Sequence, residues 1–211
     1  YYSGLFGLLY GGTVKGVTVE NSVIINNRPA EVQSQAAAVV VNGLNSSKYE
    51  NLSSRNNIII AKNTVTPSVS NALVILGGVV GHANEGATVH NLASLNNRIF
   101  GPGDSCAGGV IGRIGGSSLL TVCSSLYSGN NTIVATNTYD LNAMSGGVVG
   151  ALIGESQLNN AYSYSNSIIA SSSKAFRGAI IGDIYNAVSV NNVYANDTCS
   201  CSATDDYHAC S

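Results

Sequence analysis

Apolar residues come along this chain in short clusters set apart by glycine, serine and asparagine, and the clusters repeat. The phrase GGVVG (77–81) returns as GGVIG (108–112), GGVVG (146–150) and GAIIG (178–182), with weaker copies in GLFG (4–7) and AAVVV (37–41). Taking the last residue of each phrase as origin gives 7, 41, 81, 112, 150 and 182, intervals of 34, 40, 31, 38 and 32 residues. Eight places after the origin stand Tyr49, Val89, Leu120, Leu158 and Val190, and eleven places after it Leu52, Leu92, Cys123, Ala161 and Val193. A later column reads Ile24, Ile59, Ile99, Ile133 and Ile168, with three extra residues in the fourth copy. Length variation is expected to fall mainly after this isoleucine column, in a loop.

This spacing does not suit helices, which need apolar residues every three to four positions with strong helix formers between them. The columns are filled by β-branched residues, Asn, Ser and Gly, which favour strands and turns. Each copy therefore reads as about three short strands joined by bends. Copies stacked about 4.8 Å apart would bury one another's apolar faces. The fold class expected is all-β, a β-solenoid of about six coils.

Ten places after the origin the column holds Asn51, Asn91, Val122, Asn160 and Asn192, with Gly16 in the first copy. It sits between two apolar columns that a straight strand would place on opposite faces. The alternation slips by one residue there, which calls for a bend, and Asn and Gly tolerate the left-handed backbone that bends use. The other reading is an inward ladder of amides bonded along the stack. Val122 fits neither.

Composition narrows the class. Charged residues are 9% of the 211, against about 25% in ordinary soluble domains. The apolar runs are too short or too polar for the ~20 residues of a membrane span. Disorder is excluded by a hydrophobic content of 45% and only three prolines. A net charge of −2 with nine scattered bases offers no phosphate-binding surface, so nucleic acid is not an expected partner. YYSGLFGLLYGG lacks the charged start of a signal segment, so the chain is expected to be a mature product or part of a longer one.

The combination GGVVG…VHNLAS…NNRI, repeated as GGVVG…LNNAYSYSNSI and GAIIG…VNNVYANDT, resembles the GLUG-type repeats of microbial surface proteins. The resemblance covers most of residues 1–198 and implies a β-solenoid stalk of an adhesin or other cell-surface protein.

Secretion makes cysteine pairing expected. Cys106 and Cys123 would staple the fourth copy or lie buried as free thiols. The repeat ends in TCSCSATDDYHACS, so residues 199–211 are expected to form a cysteine-rich cap on a repeat domain of 1–198, closed by Cys201–Cys210 or Cys199–Cys210. Asp205, Asp206, His208 and Cys210 lack ligand spacing, and no metal or cofactor is expected. N-glycosylation sequons stand at Asn45, Asn51, Asn130 and Asn196. A glycan on Asn51 requires its side chain to point outward.

A solenoid enzyme acting on polysaccharides would need acids grouped on neighbouring coils. Glu85 and Glu155 lie two copies apart, with Gly116 and Ser117 between them, so no catalytic residue is assigned. Aromatic platforms for glycans are available, and Tyr162 and Tyr194 share a column twelve places after the origin. The expectation is a structural or adhesive extracellular protein, a surface stalk or filament subunit. It would associate end to end or with other surface proteins; a glycan-binding module is the alternative, and a polysaccharide-degrading enzyme ranks behind both.

Overall fold

Each copy wraps once around a common axis in the computed structural model, which describes residues 2–29, 33–64, 73–102, 105–136, 142–172 and 174–196. The third coil shows the plan. A first wall, Val74–Gly77, turns at Gly78 and Val79 into a second, Val80–Ala83; a third, Thr88–Leu95, and a fourth, Arg98–Pro102, follow. Every pairing between coils is parallel and joins one copy to the next. Among the described residues the first three walls run through six coils and the fourth through five, giving five complete turns and three sides of a sixth. The chain is all-β there, with no helix, and so no helix long and apolar enough to cross a membrane.

The count of strands corrects the expectation of three per copy. The glycine phrase is itself a corner, with strands on both sides of it. A β-carbon on Gly78 would strike the carbonyl of Gly109 and the hydroxyl of Ser94; Gly109 and Gly147 stand in the same relation to Ser128 and Ser163. The third wall's serine column presses on the glycine corner across a narrow core, so Gly78, Gly109 and Gly147 have no room for a side chain.

Left-handed residues make the other bends. Between the second and third walls lie Gly11, Gly154 and Asn186 singly and Asn45–Ser46, Glu85–Gly86 and Gly115–Gly116 in pairs, at least one in each coil. Between the third and fourth lie Asn21, Asn56, Asn96, Asn130 and Ser165, with φ from 51° to 54°. The column of the opening pattern bends the third wall in its middle: Gly16 (67°), Asn51 (54°), Asn91 (57°), Ser125 (59°), Asn160 (55°) and Asn192 (52°). Gly and Asn supply this geometry because they adopt positive φ at low cost.

Ser125 in that series resolves Val122 and corrects the fourth copy's register. Val89 pairs with Cys123, and Cys123 with Leu158, so Cys123 occupies the eighth-place column and Leu126 the eleventh. Four residues separate Ala83 from Thr88, whereas seven separate their partners Ile114 and Val122. The three extra residues lie before the third wall, at a corner opened by Gly115 and Gly116 (φ 80° and 111°). Leu120 is consequently an exposed corner residue and not a core one.

The main core runs up the axis as the file Val14, Tyr49, Val89, Cys123, Leu158, Val190 and its neighbours. Burying one such side chain is worth about 1.5–3 kcal/mol, and each coil does this only with coils above and below. On the far side of the first two walls a second, smaller cluster holds Cys106, Met144 and Ala151, flanked by Leu73, Ile153 and Phe176. The glycines of the second wall allow this close approach: a β-carbon on Gly112 would sit 2.8 Å from Cγ2 of Ile75 in the first wall.

From the second coil to the fifth, the residue after the corner between the third and fourth walls is an asparagine that points inward. Asn57, Asn97, Asn131 and Asn166 are 1% exposed. The Oδ1 of Asn97 accepts from the Asn57 amide at 2.8 Å, and that of Asn131 from the Asn97 amide at 2.7 Å. Nδ2 of Asn97 donates back to the Ser54 carbonyl and to Ser94 Oγ, at 3.1 and 2.9 Å. Asn131 and Asn166 repeat this scheme. Both readings of the asparagines are therefore realised at different columns: an outward bend at Asn91, a buried ladder at Asn97.

Candidate binding face on the third wall

The outward face of the third wall carries the most distinctive chemistry. Leu126 and Ser128 point inward, so Tyr127 between them points out; the same alternation exposes Tyr162 and Tyr194. Register places the three one above another, Tyr127 to Tyr162 to Tyr194. The Tyr127 and Tyr162 rings stack with centroids 5.5 Å apart and planes inclined by 19°. Tyr162 and Tyr194 share a column, as the sequence indicated. Tyr127 is a third member that the misplaced insertion concealed; the signal for it was SSLYSGNN (124–131), which matches NNAYSYSN (159–166) without gaps.

Amides flank the rings. Asn191 donates to Asn159 at 3.0 Å and Asn192 to Asn160 at 3.1 Å, both exposed, and Tyr164 stands exposed two residues beyond Tyr162. Stacking turns the faces of Tyr127 and Tyr162 toward each other and leaves ring edges and phenol hydroxyls outermost. Among the described residues Tyr194 is the last of the column and 65% exposed, so a sugar ring could pack on it, while the rest of the strip offers hydrogen-bond donors and acceptors.

Further down, the same wall is ionic. Lys15 pairs with Glu50 at 3.0 Å and Arg55 with Glu20 at 3.8 Å, all on the surface. Lys15 holds the Glu50 carboxyl below its usual range, by hydrogen bond first and by charge second. Such exposed pairs contribute little to stability.

The cleft between the first two walls also changes along the axis. Low in the stack it holds the buried Gln35, Asn42 and His82. His82 Nε2 donates to the Gly115 carbonyl at 2.9 Å, leaving Nδ1 without the proton. Burial pushes this imidazole down to about 4, the Gly115 bond opposing the shift and the Arg113 charge adding to it. Higher up the cleft is the Cys106–Met144–Ala151 cluster, with Cys106 Sγ 3.9 Å from Met144 Sδ.

Cys106 and Cys123 are both buried, one in each apolar cluster, and are not bonded to each other, so the staple is not formed. Burial raises the Cys123 thiol far above its usual range. Cys199, Cys201 and Cys210 lie outside the described residues, as do Asp205, Asp206 and His208. Glu85 sits at a corner with Oε2 accepting the Asn45 amide at 3.3 Å, and Glu155 is exposed two coils above. Among the described residues no three His, Cys, Asp or Glu side chains group as metal ligands would. Of the sequon asparagines, Asn45, Asn51 and Asn130 are exposed left-handed residues; Asn196 is exposed at the end of Ser189–Asn196, with Thr198 outside the described residues.

Comparison of the chain with family models, with curated proteins and with solved structures finds no match.

Proposed function

We propose that the chain is a structural or adhesive repeat protein of the cell exterior, a surface stalk or filament-forming subunit of the GLUG-repeat type, acting without catalysis. The observation that carries this reading is the open edge of the first coil. Phe6 belongs to the column of Val40, Val80 and Ile111, each fully buried, yet Phe6 is 38% exposed. Leu5 and Tyr10 beside it are 58% and 70% exposed. Among the described residues this strand edge and its apolar columns are uncovered, which fits another coil in the same parallel register; in this reading a second copy supplies it. At the other end, Ile184 and Val188 of the last described coil are exposed as well.

Sedimentation and electron microscopy of the purified chain test this. The expected result is concentration-dependent, end-to-end assembly that Phe6→Lys abolishes. Monomers at every concentration overturn the filament reading.

A second reading, a glycan-binding module, draws on the tyrosine and asparagine strip of the upper third wall. It is favoured if the monomeric chain is retained on a glycan array.

A further inference from the structure

The outward asparagine column ends at Asn51, and it ends in a particular way. Asn91 Nδ2 donates to Asn51 Oδ1 at 2.7 Å, so the amides of this column point their nitrogens toward the preceding coil, as Asn192 does toward Asn160. Asn51 has no amide beneath it. Gly16 lies opposite, its amide bonded to the Glu50 carbonyl at 3.0 Å, and a β-carbon built on Gly16 meets nothing within 4 Å. The nitrogen of Asn51 is thus the free end of the ladder, over open space. Two residues on, Ser53 completes the sequon, its exposed hydroxyl 2.6 Å from that of Thr18. No other coil repeats this combination, because the column two residues after the bend holds Ala93, Tyr127, Tyr162 and Tyr194.

We infer that Asn51 is an N-glycosylation site, an inference resting on the reading of the chain as exported. The donor is an oligosaccharide linked to a polyprenyl pyrophosphate. The bond between Asn51 Nδ2 and the anomeric carbon forms as the bond from that carbon to the pyrophosphate oxygen breaks. The lipid pyrophosphate leaves with the electron pair, and Nδ2 gives up one proton to a base of the transferase. Modification takes nothing from the fold, since Oδ1 remains the acceptor of Asn91. The glycan stands on the second coil, two coils and about 10 Å below Tyr127, and leaves the tyrosine strip open.

The test is secretion of the chain from eukaryotic cells behind a supplied leader, then peptide N-glycanase digestion in heavy-oxygen water and peptide mass mapping. Conversion of Asn51 to labelled aspartate, lost in Ser53→Ala, is the expected result. Asn51→Gly, which copies Gly16 and keeps the bend, should be secreted at the normal level one glycan lighter. An unlabelled Asn51 in secreted, folded chain overturns the inference. Because the leader forces export, that failure speaks of the site, whereas surface labelling of the native chain in its own cells tests the location.

Discussion

The lower and upper halves of the solenoid share one backbone plan and differ in what they attach to it. On the third wall, the first two coils carry the Lys15–Glu50 and Glu20–Arg55 pairs, while the last three carry the tyrosine column, with Tyr127 and Tyr162 stacked. In the cleft between the first and second walls, Gln35, Asn42 and His82 give way to Cys106, Met144 and Ala151. The parts common to the middle coils are the small-residue corner, the left-handed bends and the buried asparagines. Geometry is thus specified by a few residue types at fixed columns, and outward positions are left free to carry different chemistry at different heights.

The largest expected effect falls on the shared interior. Asn97→Ala strands the Asn57 amide and the Ser54 carbonyl, each a buried polar group whose loss of partner costs about 1–3 kcal/mol. Chemical denaturation should show a loss of roughly 3–5 kcal/mol. Asn91→Gly, which removes only an exposed amide and keeps positive φ, should stay within about 0.5 kcal/mol. Similar losses for the two would break the distinction between inner and outer columns.

Next comes the polar lower cleft. The imidazole of His82 is held at about 4 in the folded chain against 6.5 as its ordinary value. The unfolded chain binds the extra proton between those values, so His82's contribution is complete above pH 6.5 and is lost as pH falls toward 4. Linkage puts the total at roughly 3 kcal/mol. His82→Asn, copying Asn42 of the coil below, should flatten that part of the pH–stability curve; an unchanged slope would mean other groups set it.

The smallest effects lie on the outer face. Tyr162→Ser, copying Ser53, removes a stacked pair worth about 0.5–1.5 kcal/mol and should abolish any glycan retention. Lys15→Ala should cost below about 1 kcal/mol, vanish at high salt and leave retention unchanged. Equal effects of the two on retention would erase the contrast between the halves.

Much of the architecture was legible in the sequence because columns of like residues survive unequal spacing. The Gly16 substitution in an asparagine column signalled the left-handed bend, and the recurrent isoleucines signalled an inward file. Three features were hidden for physical reasons. The glycine phrase reads as one strand, since nothing local reveals that a serine from the opposite wall crowds Gly78, Gly109 and Gly147 at a corner. The fourth copy's insertion was ambiguous because Leu120, Val122 and Cys123 are all apolar and any of them fits a core column. In the pairs Asn56–Asn57 and Asn96–Asn97, identical residues do opposite things, one turning the backbone and one bonding inside it, and only the three-dimensional corner separates them. Tyr127 disappeared from the strip along with the insertion.

The buried amides also set how the rod fails. Asn57, Asn97 and Asn131 each tie their own coil to the coil before and the coil after, so an interior turn cannot loosen without severing bonds on two sides, while a terminal turn has only one set to break. Damage, proteolysis and unfolding should therefore start at the tips and travel inward turn by turn, and in the middle coils a load pulled along the axis is shared among all four walls and the amide file.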